Sequence, residues 1–95
     1  MSEPVTISVQ PTPNVHALKF VLDRRLSEGR SRTFRSAAEA AQEPLAAAIL
    51  AIPGVVQVFI LNDFITVTRD HAHDWERIAG RVEDTIRKHF AQHTE

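Results

Sequence analysis

Two strand-like runs, Val55–Leu61 and Phe64–Arg69, meet at a two-residue spacer, Asn62-Asp63. No other feature restricts the fold as much. Runs rich in β-branched and aromatic residues read as strands, and a spacer this short leaves only an antiparallel hairpin between them. Asn and Asp tolerate positive φ better than other non-glycine residues, so a tight primed turn is expected at Asn62-Asp63.

Val5, Ile7 and Val9 alternate with Thr6 and Ser8, the period of a half-buried strand with the three apolar residues inward. Pro11 and Pro13 end it, since neither can donate to a ladder. Ala17–Leu22 is a second strand, with Leu18, Phe20 and Leu22 inward and Lys19 outward. Polar residues from Arg24 to Ser31 make a turn around Gly29, and a short strand follows at Thr33-Phe34.

Ser36-Ala37-Ala38-Glu39 has the form of a capping box and predicts a short helix over Ala37–Ala41. Pro44 fits the first turn of a second helix, Pro44–Ala51, with Leu45, Ala48, Ile49 and Ile52 on one face. Pro53-Gly54 stops it. Asp74 can cap a last helix whose apolar stripe is Trp75, Ile78, Ala79, Val82, Ile86 and Phe90. Trp75 is expected beside Phe59 or Phe64. A two-layer α+β sandwich, with helices packed on one face of a largely antiparallel sheet, buries every stripe. The expected organisation is one domain over residues 1–95.

Composition removes several functions. The chain has no cysteine, which excludes disulfides, thiolate metal sites and cysteine nucleophiles within these residues. Eleven Lys+Arg against twelve Asp+Glu give a net charge of -1, so no global field favours nucleic acid or anionic membrane. Val55–Leu61, the most apolar stretch, is far shorter than the ~20 residues that span a bilayer. Met1-Ser2-Glu3-Pro4 lacks the basic and apolar regions of a secretory signal, so a cytoplasmic location is expected.

Three stretches, in order, resemble the N-terminal domain of the Nfu/NifU-type iron–sulfur scaffold proteins. They are Thr12-Pro13-Asn14-Val15-His16-Ala17-Leu18-Lys19-Phe20; Pro44-Leu45-Ala46 followed by Ile52-Pro53-Gly54-Val55-Val56-Gln57-Val58-Phe59; and Asn62-Asp63-Phe64-Ile65-Thr66-Val67-Thr68-Arg69 with Asp74-Trp75. Val15 replaces the family's usual second proline, and Glu43 its usual serine before Pro-Leu-Ala. Two-domain scaffolds hold their cluster on a C-x-x-C motif in a separate domain. The resemblance therefore implies an accessory module, with iron or a cluster met only through a partner.

Candidate contact residues are Asn14 and Lys19, around the loop into the second strand, and Asn62, Asp63 and Phe64 at the hairpin. Each also has a purely structural reading: Asn14 as an Asx turn, Lys19 as a solvated strand residue, Asn62 and Asp63 as turn chemistry, and Phe64 as core. Arg24, Arg25, Arg30, Arg32 and Arg35 fall within twelve residues. They raise the alternative of a nucleic-acid-binding module, or else a charged edge that resists aggregation. Histidine offers the only metal signal: His71 and His73 between Asp70 and Asp74, and His89 and His93 at helical spacing. Neither set reaches the three or four ligands of a tight site, and histidine near a helix C-terminus suits the dipole in any case. There is no nucleophile elbow, phosphate loop or apolar carboxylate pair, so no catalysis is expected.

The sequence thus points to a non-enzymatic module of iron–sulfur cluster assembly or delivery, at most weakly iron-binding and a monomer or weak dimer. Its expected partners are scaffold or client apoproteins, with neither membrane nor nucleic acid among them.

Overall fold

The computed structural model describes residues 5–26, 29, 31–70, 72 and 74–92. Five strands form one sheet: β1 (Ile7–Pro11), β2 (Ala17–Leu22), β3 (Arg32–Phe34), β4 (Val55–Leu61) and β5 (Phe64–Arg69). Their order is β1-β2-β5-β4-β3, and every neighbouring pair is antiparallel. Two helices, α1 (Pro44–Leu50) and α2 (Trp75–Gln92), pack on one face. The expected α+β sandwich is the observed architecture.

The hairpin is as the spacer requires. Leu61 pairs with Phe64, and Asn62 takes φ 53°, the only positive value at a non-glycine among the described residues. Leu22 N–H donates to the Asp63 carbonyl at 2.8 Å, and Leu26 N–H donates to that of Asn62. The turn thereby anchors the segment leaving β2.

Pleating divides the sheet into two faces. Phe20, Leu22, Val58, Ile60, Ile65 and Val67 point toward the helices and are almost fully buried. They form one cluster with Leu45, Ala46 and Ile49 of α1 and Ile78, Val82 and Ile86 of α2. The predicted stripe of α2 is therefore the packed one, with Trp75, Ala79 and Phe90 half-buried at its margins. Asp74 occupies the N-cap position, its carbonyl accepting from Arg77 and Ile78.

Four expectations are corrected. Residues 37–42 form turns and not a helix. Ser36 Oγ does accept from Glu39 N–H at 3.2 Å, but the Glu39 carboxylate accepts from Arg35 N–H, one residue before the box requires. Pro44 disfavours helical backbone at Glu43, which is extended at φ -125°, ψ 88°. The few residues left cannot repay nucleation.

On α1 the buried face is Leu45, Ala46 and Ile49, while Ala48 is exposed. The helix packs against both β4 and α2, which turns Ala46 inward.

The first strand starts at Ile7 and runs through Pro11, which pairs with Leu18. An edge strand can end on a residue without an N–H. Val9 has the parity of the helix side yet is 40% exposed, because the helices do not extend over this edge.

Trp75 belongs to the helix layer, where its Nε1–H donates to the Val15 carbonyl at 3.2 Å and Arg69 lies 5.8 Å from its ring. Phe59 and Phe64 lie across the sheet from it. The tryptophan opens α2, so it meets the β1–β2 turn and not the middle of β4.

Candidate functional site

The face of the sheet turned away from the helices carries aromatic, apolar and hydroxyl side chains and one lysine. Register alone lays them out. One row crosses the sheet as Gln10, Lys19, Thr66, Phe59 and Thr33; the next, toward the hairpin, is Ser8, Val21, Phe64 and Leu61. A third, on the other side, is Ala17, Thr68 and Gln57, continued by Arg35, whose Nε donates to Gln57 Oε1 at 3.3 Å. Val21, Phe59, Leu61 and Phe64 are half-buried and stand outside the core cluster.

The centre of this face is built from side-chain contacts. The Phe59 and Phe64 rings lie 6.1 Å apart with planes tilted 40°, a separation within the range of attractive aromatic pairs. Lys19 Nζ stands 4.2 Å from the Phe64 centroid, within cation–π range. The result is an aromatic patch with a cation at its edge and threonines beyond. Its resources are apolar contact, cation–π and charge, which suit recognition of another macromolecule.

The predicted contact residues do not all gather here. Lys19 and Phe64 do, and Phe64 lies on the open face and not in the core. Asn62 and Asp63 adjoin at the hairpin tip, where their carbonyls hold the chain after β2.

Asn14 lies at the opposite end of β2, beyond Ala17, whereas the hairpin adjoins Val21. Four residues of strand, roughly 13 Å, separate the two ends. Asn14 makes the Asx turn the sequence suggests, its Oδ1 accepting from His16 N–H at 2.9 Å, while Thr12 Oγ1 accepts from Asn14 N–H at 3.1 Å.

Phe59, Leu61, Val21 and Thr66 were absent from the predicted set. Val55–Leu61 is apolar at nearly every position, and a strand apolar at both parities places apolar side chains on both faces. That signal was available.

Three of the described arginines are engaged separately. Arg24 pairs with Asp23 at 2.9 Å and lies 5.0 Å from the Phe90 ring of α2; Arg32 pairs with Glu43; Arg35 meets Gln57 on the open face. Arg30 lies outside the described residues. The Arg32–Glu43 pair also gives the residue before Pro44 a partner. Glu43 is the N-cap of α1 but makes no side-chain capping bond, its carboxylate being held by Arg32 across from β3.

Asp23 is a titratable group with a displaced pKa. The hydrogen bond from Arg24 lowers its carboxyl below the ordinary value, against some desolvation and with help from Thr6.

Of the metal candidates, His71, His73 and His93 lie outside the described residues. His89 packs edge-on to Phe90 at 5.1 Å and lines a cavity of about 180 Å³ with Arg25, Arg32 and Glu43. Among the described residues no group of three His, Asp or Glu side chains converges. None of their helices is long and apolar enough to cross a membrane.

A family model described as "Scaffold protein Nfu/NifU N terminal" matches residues 7–93. The chain is 38% identical over 86 residues to the NFU1 iron-sulfur cluster scaffold homolog, mitochondrial, of Homo sapiens, covering 90% of this chain and 34% of the relative. It is 41% identical over 70 residues to NifU-like protein 5, mitochondrial, of Arabidopsis thaliana, covering 74% of this chain and 26% of that one. The chain thus spans about a third or less of these curated relatives.

Among solved structures it resembles a NifU-like protein from Saccharomyces cerevisiae, with TM-score 0.81, 28% identity, and coverage of 94% of this chain and 81% of that one. It also resembles protein SAV1430 from Staphylococcus aureus, with TM-score 0.76, 28% identity, and coverage of 84% and 96%. With the family model spanning nearly all of the sequence, and the fold shared with a NifU-like structure, the chain belongs to the Nfu/NifU scaffold N-terminal family.

Proposed function

We propose that this chain is a non-catalytic accessory module of iron–sulfur cluster assembly or delivery, working through contacts with scaffold or client proteins. Family membership supports the pathway. The Lys19–Phe64–Phe59 cluster on the open sheet face supports the mode of action, because it offers a contact surface and no reacting group. With no cysteine in these 95 residues, thiolate ligands for a cluster must come from outside them. In this reading the module recognises a protein, and iron travels on that protein. A cytoplasmic setting belongs to the same proposal, although two relatives are named as mitochondrial.

Affinity capture from the native cells tests this. Cluster scaffolds or cluster-containing clients are expected among the retained proteins. Retention of unrelated proteins alone would count against the reading. Among the described residues Arg24, Arg32 and Arg35 meet separate partners on separate elements, and none of these contacts favours the nucleic-acid alternative.

A further inference from the structure

We propose that the open face docks an amphipathic helix of a partner protein, its apolar side on Val21, Phe59, Leu61 and Phe64 and one of its carboxylates on Lys19. This rests on the contact-module reading above and specifies what the contact recognises.

Dimensions argue for a helix. The apolar residues sit on β2, β5 and β4, so two strand spacings of about 4.8 Å set the width, near 10 Å. An α-helix with its side chains is about 10–12 Å across. Along the strands the patch is one two-residue step deep, roughly 7 Å. With side-chain radii included the area is on the order of 200 Å², enough for two or three anchors at i, i+4 and i+7 spacing.

The same area falls short of the about 800 Å² per partner that a stable dimer buries, whereas a short helix held transiently needs less. Charge argues likewise. Of the strand residues on this face, Ser8, Gln10, Ala17, Lys19, Val21, Thr33, Gln57, Phe59, Leu61, Phe64, Thr66 and Thr68, one is a cation and none is a carboxylate. At the margins lie Arg35, Glu39 on the Arg35 backbone, and Asp63 at the hairpin tip. Two copies brought face to face would offer each Lys19 no carboxylate from the strand residues of this face. A partner carboxylate satisfies it directly, and the cation–π contact holds the ammonium in place for that bond.

A photoreactive benzoylphenylalanine placed at Phe59 or Phe64 in the full chain, irradiated in the native cells, tests the proposal. Crosslinked peptides are identified by mass spectrometry, and the captured peptide is then synthesised as the binding probe. The expected result is a segment from another protein with apolar residues at helical spacing and a net negative charge. It should bind with affinity reduced at least fivefold by Lys19→Glu and within twofold of wild type for Lys19→Arg. A crosslink to another copy, a basic or extended peptide, equal binding by Lys19→Glu, or no crosslink at either position would overturn it. The two readings separate cleanly. An acidic helix from a protein with no part in cluster handling upholds this inference and refutes the pathway. A scaffold or client captured through a basic segment does the reverse.

Discussion

Lys19 and Phe64 touch diagonally across β2 and β5. Their direct partners are Thr66 and Val21, yet the Lys19 ammonium stands 4.2 Å from the Phe64 centroid. Diagonal neighbours on one sheet face lie within reach of long and aromatic side chains. A double-mutant cycle on Lys19→Ala and Phe64→Leu, read by urea unfolding, should give a coupling of about 0.5–1 kcal/mol. Strict additivity would mean that the contact contributes nothing in solution.

Trp75 joins α2 to the β1–β2 turn through its bond to the Val15 carbonyl. Trp75→Phe keeps most of the apolar contact and removes the donor, which should cost about 0.5–1.5 kcal/mol. Trp75→Ala should cost about 2 kcal/mol, less than the ~3–5 kcal/mol of a fully buried aromatic, because the ring is half-buried. Urea denaturation checks both, and a larger loss from Trp75→Ala would mean the ring is deeper in the core.

Asn62 holds φ 53° at the hairpin. Asn62→Gly should leave stability within about 0.5 kcal/mol, whereas Asn62→Val should lose about 1–2 kcal/mol, since a β-branched residue is strained in the left-handed region. Thermal unfolding of both variants decides this. Equal midpoints would contradict the turn geometry.

The Asp23 carboxyl is held below its ordinary value chiefly by Arg24. A carboxyl lowered in the folded state binds fewer protons there than in the unfolded chain, so it favours folding at higher pH. That contribution is complete above the unfolded value and is lost as pH falls through the folded one. Carboxyl NMR titration should find the Asp23 midpoint below the ordinary range, and Arg24→Gln should return it toward that range. Identical titrations would remove the pair as the cause.

The fold was legible where local chemistry and tertiary context agree. Asn62-Asp63 defined the hairpin, Pro44 the start of α1, and the 3.6 period from Ile78 to Phe90 the buried face of α2. Local signals failed where something distant decided. The capping-box pattern at Ser36–Glu39 did not reveal that Pro44 would hold Glu43 extended. Nor did the period of α1 reveal that packing against two elements would bury Ala46 and expose Ala48. Of the candidate site, Lys19 and Phe64 were legible as residues but not as neighbours, because the β2–β5 pairing joins segments more than forty residues apart in the sequence. Phe59 and Leu61 were legible only through the apolar character of Val55–Leu61 at both parities, which puts apolar side chains on both faces.

The most direct test is the cluster occupancy of iron–sulfur enzymes in the native cells, measured as iron per polypeptide. It compares cells carrying the wild-type chain, no chain, or the Lys19→Glu, Phe64→Ala double variant confirmed as folded by circular dichroism. The account predicts that occupancy falls without the chain and that the double variant fails to restore it. Unchanged occupancy in the deletion, or full restoration by the double variant, would contradict it.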